Sequence, residues 1–123
     1  MLCRQPARHL RIYGHGIYCD PGRLRGPFAE VGTQTFDGNG ATTTTFTASQ
    51  NGNIFQATFT GTYTVNPDCT GTFNLSSAEL GFSVPLFFVI DDNLTEFRAV
   101  ETLPGAVVTR IARKQFPKGD WRE

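Results

Sequence analysis

The sequence predicts an all-β domain, an antiparallel up-and-down barrel of about eight strands, and three observations carry that prediction. The first is Phe55-Gln-Ala-Thr-Phe-Thr-Gly-Thr-Tyr-Thr-Val65, where positions 55, 57, 59, 61, 63 and 65 are apolar or glycine and 58, 60, 62 and 64 are threonine. A period of two belongs to a strand with one face buried. The second is turn chemistry at short intervals: Asp37-Gly-Asn-Gly40, Ser49-Gln-Asn-Gly-Asn53, Asn66-Pro-Asp-Cys-Thr-Gly71 and Pro104-Gly105. Each supplies a proline that sets φ or residues that tolerate positive φ. The third is composition, since 11 phenylalanines, 13 glycines, abundant threonine and no helical period favour strands over helices. Eight strands in a meander would leave two edges open to aggregation, so closure is expected.

The elements follow in order. Residues 1–10 read as a flexible basic arm, given Pro6 and no periodicity; residues 11–116 form the barrel domain and 117–123 a polar tail. A chain of 123 residues suits one domain with one core. Strands are expected over 10–17, 28–36, 41–48, 55–65, 72–80, 84–91, 94–103 and 106–114. The Asp-Gly-Asn-Gly turn makes the second and third strands antiparallel, and the threonine run 42–45 is β-branched throughout. The stretch 83–90 is strand-length with Pro85 inside it, so no segment is long enough for a membrane span.

Net charge is zero but unevenly spread. Residues 1–28 carry five arginines against Asp20, and 110–123 carry Arg110, Arg113, Lys114, Lys118 and Arg122. Between them, Arg98 alone stands against eight carboxylates. The basic ends can hold an anion or pair with the acidic body. No aromatic residues are interleaved with them as a base-stacking platform, so no nucleic acid is expected as a partner. Cys3, Cys19 and Cys69 have no metal-ligand spacing, and an odd number fits reduced thiols in a cytoplasm, with a Cys3 to Cys19 disulfide as the alternative. The N-terminus lacks the apolar stretch of a secretory signal, which again points to the cytoplasm.

Four segments, residues 36–40, 61–71, 88–91 and 97–108, resemble a family of small, uncharacterised bacterial β-barrel proteins. That family is similar in architecture to calycin and allene oxide cyclase-like barrels. The resemblance spans about residues 12–116, with Tyr63-Thr-Val-Asn-Pro-Asp-Cys-Thr-Gly71 as its most specific part. It implies a calycin-like fold. The allene oxide cyclase comparison further implies an apolar cavity holding a folded lipid, with none of that enzyme's functional residues matched here. Members of the family carry an export signal before the first strand, which the arginine-rich leader does not match.

If one pleat of each strand faces the axis, Phe36, Phe46, Phe55, Phe59, Tyr63, Phe73, Phe88 and Phe97 supply most of the interior. That set can line a pocket for one small hydrophobic ligand or pack as a solid core. Arg98 and Glu101 are the charged candidates, Arg98 to position an anionic ligand group and Glu101 as an acid or base. Three apart on one strand, they project from opposite faces, so only one can point inward. His15, between two glycines, reads as a surface histidine, and Cys69 as a small packed residue whose neighbour Asp68 would raise its thiol pKa.

The expected function is a non-catalytic barrel that binds an apolar or amphipathic small molecule in its interior. One alternative is a cyclase or isomerase in which a single inward ionisable residue suffices. Another is a structural or interaction module with a filled barrel, assembling as a homo-oligomer. No metal ligand set, cofactor or catalytic constellation is recognisable.

Overall fold

The computed structural model describes residues 6–19, 25–91 and 95–114. Eight strands follow one another: β1 (His9–Tyr18), β2 (Gly26–Phe36), β3 (Ala41–Gln50), β4 (Asn53–Val65), β5 (Thr70–Ser77), β6 (Phe82–Asp91), β7 (Glu96–Glu101) and β8 (Ala106–Lys114). Each pairs antiparallel with the next, and β8 returns to β1 with Tyr13 opposite Ile111, closing an up-and-down barrel. No described strand edge is left unpaired along the ring, which removes the aggregation hazard of an open meander.

The expected strands all form, with shifted ends. β1 opens at His9, within the stretch read as an arm, and β3 and β4 extend to the two residues of their turn. There Asn51 and Gly52 both have positive φ (51° and 89°) and Gln50 lies opposite Asn53. This is the two-residue hairpin geometry that Asn-Gly favours. β5 ends at Ser77, where the Ser77 hydroxyl accepts from the Leu80 N–H and its carbonyl from Gly81, so the chain turns earlier than expected. The tail 117–123 lies outside the described residues.

The β4 alternation holds in three dimensions: Ala57, Phe59 and Tyr63 are buried while the threonines between them face solvent. On the outside these threonines pair across strands, Thr45 with Thr58 and Thr64 with Thr72 at 3.2 Å between hydroxyls. Gly61 belongs to the inward row, and a Cβ there would lie 1.6 Å from the Asn74 carbonyl oxygen. The bare glycine lets β4 and β5 approach as the sheet curls.

The core is divided along the barrel axis. At the end that carries the 37–40 turn, Phe36, Tyr63, Phe73, Phe88 and Phe97 form one cluster of edge-to-face and stacked rings, with centroids 4.9–6.4 Å apart. The Tyr63 hydroxyl accepts a hydrogen bond from the Gly38 N–H at 3.1 Å, which ties the turn over that end. Rings fill the closed end.

One cysteine expectation is corrected. Cys69 is disulfide-bonded, Cys19 is free and exposed, and Cys3 lies outside the described residues, so a Cys3 to Cys19 bridge is excluded. The expected effect of Asp68 on a Cys69 thiol does not arise, because a disulfide sulfur does not titrate; the Asp68 carboxylate accepts from the Thr70 hydroxyl (2.6 Å) and N–H (3.1 Å). Those bonds hold the Asp68 carboxyl below the usual carboxylate range.

Candidate functional site

The other end of the barrel is built differently. Inward positions of β1, β2 and β8 include Tyr18, Glu30, Gln34 and Arg110, so polar groups enter an otherwise apolar interior. Arg110 and Glu30 are almost fully enclosed, their side chains 5% and 3% exposed, and Glu30 Oε2 accepts from both Nε and Nη2 of Arg110 at 2.8 Å. A buried charge is tolerable only with such a partner. Arg110 Nη1 donates to Gln34 Oε1 at 2.9 Å, Gln34 Nε2 donates to the Thr42 hydroxyl at 3.0 Å, and that hydroxyl donates to the Thr35 carbonyl. The network is satisfied from end to end.

Glu30 and Arg110 sit on strands that are not neighbours, with β1 between them. Gly14 is paired to both, and a Cβ at that position would lie 2.5 Å from Glu30 Oε2. The ion pair therefore passes through the space that a side chain on residue 14 would fill.

Nearer the end of the barrel, the Tyr18 hydroxyl lies 2.7 Å from Glu101 Oε1 and 2.9 Å from Oε2. Here too an intervening strand is crossed, and β8 places only Ala106 opposite Tyr18. Burial pushes the Glu101 carboxyl from its ordinary 4.5 up to about 7, against the lowering effect of the Tyr18 hydrogen bond, with Glu30 repelling its charge and Arg110 offsetting that. Burial and the Glu101 charge likewise push the Tyr18 phenol well above its ordinary value, so it stays a donor.

Around these groups lies a cavity of about 30 Å³ lined by Tyr18, Phe28, Glu30, Phe46, Phe55, Phe59, Leu75, Phe82, Val84, Leu86, Glu101 and Arg110. The volume admits roughly two water-sized groups. Its rim residues Phe55, Phe82 and Glu101 are half-buried and reach solvent, while Phe46 and Phe59, 5.6 Å apart, form its deeper wall. The larger depressions lie on the outer face of the barrel and are open grooves.

Compared with protein-family models and with curated proteins, the chain matches none. The closed eight-stranded antiparallel barrel is consistent with a calycin-like architecture. No helix among the described residues is long and apolar enough to cross a membrane, and no group of His, Cys, Asp and Glu among them is placed to hold a metal.

The structure separates the candidates named from the sequence. Phe46, Phe55, Phe59 and Glu101 line the cavity, whereas Phe36, Tyr63, Phe73, Phe88 and Phe97 lie in the ring cluster at the closed end. Arg98 belongs to neither. It stands on the outer face, 55% exposed, bonded to Asp91 at 2.9 Å and to Glu96 at 2.8 Å, so an inward role for it is corrected: the parity that turns Glu101 in turns Arg98 out. His15 is on the outer face and exposed. Sequence reasoning missed Tyr18, Phe28, Glu30, Phe82 and Arg110. The basic C-terminal stretch does meet the acidic body in part, through Arg110 with Glu30 and, at 3.8 Å, Arg113 with Glu96.

Proposed function

We propose that this barrel binds one small, mainly apolar molecule at the cavity end, held by aromatic rings and oriented by the Tyr18–Glu101 pair. The observation that carries the reading is the placement of a hydrogen-bonded carboxyl and phenol in a cavity otherwise walled mostly by apolar side chains, five of them phenylalanine, the usual composition of a small-molecule site. Kinship with the small bacterial barrels belongs to the same proposal and rests on the closed eight-stranded architecture. A folded lipid does not fit about 30 Å³ without displacement of the rim rings, which favours a smaller ligand or one that leaves part of itself outside. The Cys69 disulfide speaks for an oxidising compartment rather than the cytoplasm.

A thermal-shift screen with short amphiphiles, terpenoids and fatty acids tests the reading. A ligand at 100 times its dissociation constant adds about 2.7 kcal/mol of stability, so uniform absence of a shift would leave a filled interaction module instead.

A second reading has a specific observation behind it. A carboxyl that titrates at about 7 is suited to give and take a proton near neutrality, as an isomerase or cyclase with one inward acid would require. Chromatography of the compounds that bind distinguishes the two: conversion that is lost in Glu101→Gln supports the enzyme, and recovery of unchanged ligand supports the binder.

A further inference from the structure

The charges of the cavity do not balance by themselves. Arg110 is committed, with Nε and Nη2 on Glu30 and Nη1 on Gln34. Glu101 has the Tyr18 hydroxyl as its hydrogen-bond partner, and among the described residues no cation forms an ion pair with it. Every titratable group lining this space is accounted for by Tyr18 from β1, Glu30 from β2, Glu101 from β7 and Arg110 from β8; β3 to β6 contribute only apolar side chains. Two carboxyls thus share one guanidinium.

The remaining walls are aromatic and aliphatic, five phenylalanines beside Leu75, Val84 and Leu86. Phe28, Phe46, Phe55, Phe59 and Phe82 join Tyr18 around the space, with Tyr18 and Phe28 in edge contact at 5.5 Å and Phe59 and Phe82 at 5.5 Å. Aromatic faces attract cations and are indifferent or hostile to anions. A ligand carboxylate would meet Glu101 and Glu30 while Arg110, the one arginine in the lining, is already bonded to Glu30 and Gln34; a wholly neutral ligand would leave Glu101 with its phenol alone.

We propose that the molecule held at the cavity end is a small organic cation, an ammonium group on a short apolar body, its head among the phenylalanine rings and paired with the Glu101 carboxylate. This rests on the binding reading above and narrows it to a ligand class. The cavity of about 30 Å³ suits an ammonium head, and the half-buried Phe55 and Phe82 flank the space where the body would lie. With Glu101 titrating at about 7, the pairing strengthens as pH rises through neutrality.

Calorimetric titration at pH 8.5 with butylammonium, 1-butanol and butanoate tests it, since the amine keeps its charge at that pH as lysine does. Butylammonium should bind about tenfold tighter than butanol or better, the scale of one good cation contact, and butanoate weakest. Glu101→Gln should cut the amine preference to what the aromatic rings alone supply, and lowering the pH to 5.5 should reduce the preference in the parent. Butanol or butanoate binding as tightly as the amine overturns the cation assignment and leaves the cavity reading intact, and an amine preference undiminished in Glu101→Gln overturns the pairing with Glu101. Silence from all three probes, together with a flat screen of short amphiphiles, terpenoids and fatty acids, overturns both.

Discussion

At Glu101 the fold shifts a proton equilibrium, and the sign of the shift sets how stability responds to pH. Below about 4.5 the carboxyl is protonated in both folded and unfolded chains, whereas above about 7 it is ionised in both and the folded state bears the whole cost of burying the charge. Between those values the folded chain binds more protons, so stability falls as pH rises and then levels, by of order 3 kcal/mol. Glu101→Gln should flatten this slope; urea midpoints of parent and variant from pH 4 to 8 give it, and parallel curves would refute the shift. Asp37 behaves oppositely. The N–H groups of Ala41 and Asn39 hold its carboxyl below the ordinary range, and that contribution is lost only as the pH falls into acid. Gly14 makes a second test. Alanine there would push Glu30 off Arg110 and strand a buried charge, so Gly14→Ala should cost roughly 3 kcal/mol in urea unfolding, and a variant as stable as the parent would show that Glu30 relaxes freely.

At the scale of elements, much was legible because period two has few solutions. Phe28 and Phe36 on β2 fix its parity, and the same parity sends Glu30 and Gln34 inward, a signal present in the sequence and left unused. Phe97 and Ala99 turn Glu101 in and Arg98 out by the same rule. On β8 the rule has no purchase. The rows Val108, Arg110, Ala112 and Val107, Thr109, Ile111 are about equally apolar, so the buried arginine could be found only once Glu30 stood across the barrel. Tyr18 and Phe82 lie at strand ends, where turn residues obscure the alternation. The β4–β5 turn offers a modest test: Asp68→Ala removes two hydrogen bonds from an exposed loop and should lower the urea midpoint slightly. Its neighbour gives a chemical one, since Cys19 should alkylate in the native protein and Cys69 only after reduction, as read by peptide mass.

For the whole molecule, the two ends have different duties, and substitution should separate them. Phe88→Ala empties a site with no solvent exposure in the ring cluster and should destabilise by roughly 3–5 kcal/mol, while Phe55→Ala at the half-buried rim should fall well short of that. Equal losses, measured by urea unfolding, would contradict the division. The plug of rings at one end also makes the barrel a cup, not a conduit. A molecule that enters past Phe55, Phe82 and Glu101 must leave by the same doorway, so nothing is passed through and one occupant blocks the next. By microscopic reversibility, a bulkier doorway slows arrival and departure by the same factor.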